Sequence, residues 1–239
     1  MTNYRNYVYP DHNDKVTTKM IDEKESLKGS GYWKRSEQNI INKMKDQIEK
    51  NTKKEALSFL DAGCGNGRLL PEFEKYFKNI LLIDPDKNRI QSAKELVDKL
   101  NLSDKVTCKT LSIESINLSQ KFDVILCNHV LQHVHTKKIR SILEKLYEIL
   151  NENGLLLLTT CNSKKNKGYF VKQYVKNSKL TEEIINEDEF NILTDKKEEL
   201  PIHFFDKGNL INLLKDLNYK LNFFEKFHDG RDIFFSLTK

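Results

Sequence analysis

The stretch Asp61-Ala62-Gly63-Cys64-Gly65-Asn66-Gly67 stands between an apolar run, Leu57-Ser58-Phe59-Leu60, and a helical pattern that starts near Arg68. Glycines at alternate positions let a backbone turn sharply and approach a ligand with no Cβ in the way. Amides at the start of the next helix favour a negative group such as a carboxylate. A second apolar run, Ile80–Ile83, ends in Asp84-Pro85. A carboxylate at that place can accept two hydrogen bonds from a ribose diol. A glycine loop alone says little; with an acid closing the next strand it says much more. The dinucleotide fingerprint G-x-G-x-x-G needs glycine at 68, where this chain has Arg68, so the pattern is Asp-x-Gly-x-Gly-x-Gly. Plainer readings stand beside these. Asp84 before Pro85 is also good chemistry for a helix N-terminus. Cys64 and Cys127 read as small buried residues, because neither has an apparent activating partner.

Residues arranged in this way need strands to bring them to one edge and helices to cover those strands. Val106–Lys109, Phe122–Cys127 and Leu155–Thr160 are further apolar runs. Between the runs lie helical patterns: Arg68 to Phe77; Ile90, Ala93, Leu96, Val97 and Leu100; and Ile139, Ile142, Leu143, Leu146, Ile149 and Leu150. Asn153-Gly154 is read as the stop of the last one. Repeated strand–helix units with continuously apolar strands predict a parallel sheet covered on both faces, with right-handed crossovers. Leu210, Leu213, Leu214 and Leu217 stripe a final helix, and Tyr219–Phe224 and Ile233–Leu237 close the sheet. The expected fold class is α/β, doubly wound on a mostly parallel sheet of seven strands.

Residues 1–52 form an N-terminal arm and helical cap in this reading, and 53–239 the main domain. Ile40, Ile41, Met44 and Ile48 stripe a helix running from Trp33 to Lys50. Residues 161–202 break the strand–helix rhythm as an insertion after the fifth strand. Its first half carries Lys164, Lys165, Lys167, Lys172, Lys176 and Lys179; its second half is acidic, from Glu182 to Glu199. An insertion of this length is read as a lid or an extra helical pair. Otherwise it is a solvated element whose halves offset each other's charge.

With these elements in place, the motifs resemble those of the class I S-adenosylmethionine-dependent methyltransferases. Phe59–Arg68 looks like their first motif and Ile83–Asp86 like their second. Phe122–Val134 resembles their fourth-strand motif, and Asn153–Leu158 their fifth strand. The resemblance covers roughly residues 55–160 and, less distinctly, the last 35 or so. It implies a Rossmann-like methyltransferase fold and S-adenosylmethionine as cofactor, with S-adenosylhomocysteine as product. Asp61, Gly63, Cys64, Gly65 and Gly67 would line the methionine portion, and Asp84 with Pro85 the ribose. Family members often place Asp and a small residue after the third strand, against the adenine. Here Ser112 takes the acid's place, and Ile113 can pack on the ring. Asn128 and His129 would reach the methyl-donor region.

Methyl transfer from a sulfonium is an in-line displacement in which the protein mainly aligns the partners, an effect worth about 7–11 kcal/mol. A general base is needed only when the acceptor carries a proton. Histidine suits that task, and the candidates are His129, His133 and His203. His129 and His133 share a face if the chain turns helically there. His203 precedes Phe204-Phe205, where the family often has substrate-contacting residues. Each can equally be a loop or partly buried histidine, and His12 and His228 have no motif context. Tyr32, Trp33 and Arg35 in the cap would close over cofactor and substrate, or Trp33 would anchor the first helix. Tyr169, Phe170 and Tyr174 in the insertion pose the same choice.

The chain has 239 residues, a net charge of +5 and 31% charged side chains. That balance permits an anionic partner without requiring one. Four cysteines, Cys64, Cys108, Cys127 and Cys161, include no C-x-x-C pair, so no metal site and no redox pair is expected. Reduced cysteines, no apolar leader and no apolar run long enough to span a bilayer predict a cytoplasmic protein with no membrane partner. The leading function is methyl transfer to an O or N nucleophile of a small molecule, by a monomer or homodimer. Methylation of tRNA or of a protein or peptide is the alternative, with the lysine run as its footprint and the acidic half against it. A cofactor-binding module without activity is a third reading, and a nicotinamide oxidoreductase a fourth, disfavoured by Arg68.

Overall fold

The computed structural model describes residues 30–52, 58–117, 119–176, 179–196 and 200–239, with backbone alone for residues 30–37, 173–181 and 200. The apolar runs of the sequence become β1 (Ser58–Ala62), β2 (Asn79–Asp84), β3 (Val106–Thr110), β4 (Phe122–Asn128) and β5 (Leu150–Cys161). Two further strands, β9 (Lys220–Phe227) and β10 (Asp232–Thr238), complete a seven-stranded sheet in the order β3-β2-β1-β4-β5-β10-β9. The first five pair in parallel, while β10 runs antiparallel to both neighbours. Strand order reverses beside β1, so a crevice opens at the carboxyl ends of β1 and β4. This is the doubly wound, mostly parallel seven-stranded sheet that the sequence predicts.

Both faces of the sheet are covered, which is why its central strands carry almost no polar side chain. Helix α1 (Ser30–Asn51) lays Ile40, Ile41, Met44 and Ile48 on one face, against Leu155, Leu157, Phe227 and Phe234. Each of the four is at most 6% exposed, and burial of such a side chain stabilises by about 1.5–3 kcal/mol. The described side chains of α1 thus serve as core on the sheet face. On the other face lies α4 (Ile139–Ile149), whose whole predicted stripe is buried. It ends at Ile149, ahead of Asn153-Gly154, and β5 begins at once.

Two local departures have physical causes. The helix expected over Arg68–Phe77 is only α2 (Leu70–Phe73), followed by a tight 3-10 turn. Phe77 leaves it to stack on Phe59 with ring centroids 4.5 Å apart, which returns the chain to β2. Helix α3 (Lys87–Lys99) is capped by Asp86, whose carboxylate accepts from the amides of Asn88 and Arg89. The cap is therefore Asp86, and Asp84 is left for other work.

The insertion is a three-stranded antiparallel sheet with one helix, and no helical pair forms among the described residues. It comprises β6 (Tyr169–Lys176), β7 (Lys179–Ile185), α5 (Glu187–Lys196) and β8 (Leu200–Phe204), with sheet order β7-β6-β8. Pairing β6 with β7 sets Lys172 opposite Glu183. The Lys172 ammonium lies 3.6 Å from Glu183 and 3.1 Å from Glu189. The acidic half thus supplies ion-pair partners to Lys172 of the basic half. The alternation Tyr169–Val171 is the strand signal that the lysines obscured; Val171 packs with Ile202, Phe204 and Cys161. The last helix, α6 (Lys207–Asp216), follows, capped by Asp206.

Candidate active site

The loop after β1 bends because its glycines adopt backbone angles that other residues rarely reach. Gly63 has φ +90°, Gly65 +56° and Gly67 +78°. At Gly63 a Cβ would lie 2.4 Å from Val130 Cγ2, so the bare backbone is needed for the post-β4 segment to approach. At Gly65 a Cβ would meet no atom within 4 Å. The loop therefore packs tightly on one side and leaves open space on the other, at the crevice mouth.

Asp84 ties this loop to the second strand. Its Oδ2 accepts from the Gly65 amide at 3.0 Å and its Oδ1 from the Asp86 amide at 2.9 Å. The amides of Gly63 and Cys64 both donate to the Ile83 carbonyl at 2.9 Å. Burial raises the Asp84 pKa above its ordinary value, against the lowering effect of the Asp86 and Gly65 amides and of Arg89. Each Asp84 oxygen keeps acceptor capacity beyond its one backbone bond. Asp61, 3% exposed at the end of β1, has its pKa pushed up to about 7 by burial, with Arg68 opposing and Asp84 adding to the rise. Two acids side by side in a buried crevice are poised to receive a cation and hydroxyl donors.

Cys64 is buried beside them in the core. Burial and the two acids push its thiol far above its usual range, which removes it as a nucleophile. Cys127 is likewise core, its thiol pushed up to about 12 by burial and by Asp61. Pro85 is exposed at the turn into α3. After β3, Leu111 donates its amide to the Asp84 carbonyl at 3.0 Å, which brings Ser112 and Ile113 toward the same edge. Ser112 Oγ is 3.0 Å from Ser115 Oγ, and Ile113 is buried with the core of that face.

At the end of β4 the chain turns through His129, which has φ +55°. Its amide donates to both the carbonyl and the hydroxyl of Thr159 on β5, at 3.1 and 3.0 Å. The Thr159 hydroxyl donates to Asn128 Oδ1 at 2.6 Å. His129 Nδ1 is 3.0 Å from Gln132 Oε1, an oxygen that also accepts from the Cys161 amide. Gln132 Nε2 is 3.3 Å from His133 Nε2, and His133 Nδ1 is 2.9 Å from the Pro201 carbonyl. These contacts fix the tautomers. A carbonyl only accepts, so His133 carries its proton on Nδ1 and accepts at Nε2. Gln132 Oε1 likewise only accepts, so His129 carries its proton on Nδ1 and leaves the Nε2 lone pair open.

The three histidine candidates therefore separate. His133 is buried with both nitrogens engaged, and burial holds its pKa down near 4 against the opposing Pro201 carbonyl. The ring of His203 stacks between Phe170, at 4.5 Å, and Phe205, at 3.9 Å, and burial holds it near 4 as well. His203 is partly exposed with an unpartnered Nδ1, but that atom is buried within the aromatic stack; His129, also partly exposed, keeps its Nε2 free of a hydrogen bond at the end of β4. The expectations for the side chains of Tyr32, Trp33, Arg35 and Tyr174 lie outside the described residues. Tyr169 stacks on Phe204 with centroids 4.6 Å apart, inside the insertion.

Sequence reading passed over Gln132 and Thr159, which hold His129 in place. Their signal was present but weak: an amide beside a histidine, and hydroxyls closing an otherwise apolar strand. The insertion grips this same segment. Pro201 of β8 holds His133, and Asn191 of α5 accepts from the Thr136 amide at 3.0 Å.

A family described as "Methyltransferase domain" matches residues 53–217. The chain belongs to this family. The methyltransferase-domain chain is also similar to proteins named ubiquinone biosynthesis O-methyltransferase. One from Rickettsia prowazekii is 27% identical over 186 residues, 74% of this chain and 70% of the relative. One from Rhodopseudomonas palustris is 30% identical over 120 residues, 48% of this chain and 46% of the relative. The chain thus spans about half the length of the Rhodopseudomonas relatives it matches. Solved structures share the fold. Magnesium protoporphyrin IX methyltransferase from Synechocystis, solved with S-adenosylhomocysteine, has a TM-score of 0.66 at 12% identity, covering 100% of this chain and 97% of the other. A 1,6-didemethyltoxoflavin-N1-methyltransferase from Burkholderia thailandensis has 0.62 at 14%, covering 85% and 78%. No helix among the described residues is long and apolar enough to cross a membrane.

Proposed function

We propose that this methyltransferase-domain protein moves the methyl group of S-adenosylmethionine to an oxygen or nitrogen of a small organic acceptor, by in-line displacement. The observation that carries the reading is the open space over Gly65, bounded by the Asp84 carboxylate on the crevice side. Asp61, Gly63, Cys64, Gly65 and Gly67 take the methionine portion, with the Asp61 carboxylate facing its ammonium. Asp84, beside Pro85, accepts from the ribose hydroxyls. Ser112 and Ile113 flank the adenine. Asn128 and His129 stand where sulfur and methyl would lie.

His129 Nε2 is then the basic atom on the acceptor side, and Gln132 and His133 are positioning residues. The names of the relatives above support a small organic acceptor. The Lys172 ion pairs weaken the case for a continuous basic face such as a nucleic acid requires. Calorimetry tests the reading: S-adenosylmethionine and S-adenosylhomocysteine bind, and NAD does not. Binding of NAD alone overturns it.

Gly63 and Gly65 supply a second test. Gly65→Ala adds a methyl group to the ligand's space and none to the protein's. Thermal unfolding should record a loss of only about 1 kcal/mol, from the left-handed backbone, while S-adenosylhomocysteine binding falls sharply. Gly63→Ala drives a methyl into Val130 and should cost about 2–4 kcal/mol of stability. Equal stability losses in the two variants would contradict the assignment of the open side.

A further inference from the structure

We propose that the protein binds a divalent transition-metal ion, zinc being the best chemical fit, between His129, Cys161 and Asp232, with a fourth position open to the acceptor. These residues come from three neighbouring strands. His129 follows β4, Cys161 ends β5, and Asp232 begins β10 directly opposite Cys161. A ring nitrogen of His129, the Cys161 sulfur and an Asp232 carboxylate oxygen all lie within 4.8 Å of one another. Bound zinc, with distances of about 2.0 Å to nitrogen or oxygen and 2.3 Å to sulfur, sets its ligands roughly 3.3–3.8 Å apart. The 4.8 Å limit on the set in the empty protein is about an ångström wider than that spacing.

The cluster is a built site. Asp232 is fully buried, and its Oδ1 has no hydrogen-bond partner. A buried carboxylate oxygen without a partner is costly and calls for an explanation. Its other oxygen, Oδ2, is bonded to His228 Nδ1. The His129 Nδ1 proton is held by Gln132 Oε1, which also holds the Cys161 amide. Each donor group is thus fixed through an atom that does not ligate, while Nε2, Sγ and Oδ1 remain. That is the outer-shell pattern that orients histidine and carboxylate ligands of metals. Cys161 is 3% exposed, and its thiol faces the negative charge of Asp232. A metal ion bound there would hold the sulfur as the thiolate and release the thiol proton to solvent. Nitrogen, sulfur and oxygen donors in a set of three, with one position left, match zinc sites that hold a water or a substrate.

The role toward the acceptor rests on the methyl-transfer reading, whereas the metal site does not. In that reading His129 stands at the methyl-donor end of the crevice, so a fourth ligand reaching the ion from the His129 side would be an acceptor hydroxyl or a similar heteroatom. Coordination would release the hydroxyl proton to solvent. The oxygen's electron pair would then form the new bond to the methyl carbon as the carbon–sulfur bond breaks and its pair passes to sulfur. In that case His129 acts as a ligand rather than as a base.

Titration of metal-free protein with zinc, read with a competing chromophoric chelator, tests the site. One equivalent should bind wild type at least about 100-fold more tightly than Cys161→Ser or Asp232→Asn. The cobalt-substituted wild type should show a thiolate-to-metal charge-transfer band and tetrahedral visible bands. S-adenosylhomocysteine should bind all three proteins alike, which separates loss of metal from loss of the cofactor site. Equal zinc affinity in wild type and Cys161→Ser overturns the proposal, as does a cobalt spectrum without the thiolate band. If either variant fails to fold, the wild-type cobalt spectrum decides alone. Failure of S-adenosylhomocysteine to bind wild type would defeat the methyl-transfer reading and leave the metal titration readable.

Discussion

Asp84→Ala is expected to weaken S-adenosylhomocysteine binding by about 100-fold or more, while His203→Ala changes it by less than about threefold. Hydrogen bonds to a charged group contribute about 1.5–3 kcal/mol each, and the ribose offers two donors to one carboxylate. A loss of about 2.7 kcal/mol is already 100-fold. The same substitution removes the acceptor of the Gly65 and Asp86 amides, so the loop loses its tie to β2 as well. Asp84→Asn separates the two contributions. Its remaining carbonyl oxygen can keep one amide bond, while its NH2 faces donors where an acceptor is needed. Calorimetry on the three variants, with thermal unfolding alongside, checks this. Similar affinities for Asp84→Ala and His203→Ala would remove the ribose assignment. His203 differs because its ring stacks on Phe170 and Phe205, away from the Asp61–Gly67 loop proposed to hold the cofactor.

The second large effect is expected at Asp61, and it depends on pH. Its pKa in the folded protein is about 7, raised by burial from an ordinary 3.8. The folded state therefore binds the proton more tightly than the unfolded chain does. The stability linked to this group is complete below about pH 4 and is lost as pH rises through 7. The difference is on the order of 4 kcal/mol. Asp61→Asn should accordingly stabilise the empty protein at pH 8 and make little difference at pH 4. Cofactor binding should run the other way. An ammonium beside Asp61 favours the charged carboxylate, so binding between pH 5 and 7 releases a proton and affinity rises with pH. Calorimetry in buffers of different ionisation enthalpy reads that proton directly. Proton uptake on binding would show that Asp61 does not meet the ammonium, and an Asp61→Asn variant less stable than wild type at pH 8 would overturn the raised pKa.

The parts of this protein legible in its sequence are those whose causes are local. Alternate glycines in the Asp61–Gly67 loop announce a left-handed backbone, and the structure has it at all three. Apolar runs announce buried strands, and the seven-stranded order follows from pairing and handedness. The stripe Ile40, Ile41, Met44 and Ile48 fixes which face of α1 is buried. The insertion was legible in charge but not in shape. Its lysines and acids hid a period of two, and whether they paired within a strand, across strands or with solvent is not a property of either segment alone.

Sequence by itself determined the doubly wound sheet, the glycine loop, the acid at Asp84 and the membership that these motifs imply. Each is carried by residues close along the chain, where backbone sterics and hydrogen-bond geometry act directly. Tertiary structure alone decided which of His129 and His133 has an open nitrogen, because that depends on Gln132, Thr159 and the Pro201 carbonyl, brought together from the end of β4, from β5 and from β8. It also decided that Asp86 caps α3, which leaves Asp84 to tie the Gly65 amide through Oδ2 and the Asp86 amide through Oδ1. The absence of a C-x-x-C pair led to an expectation of no metal site. That spacing rule covers ligands on one loop. His129, Cys161 and Asp232 become neighbours only because β10 runs antiparallel beside β5 and returns an acid to the edge where β4 and β5 end.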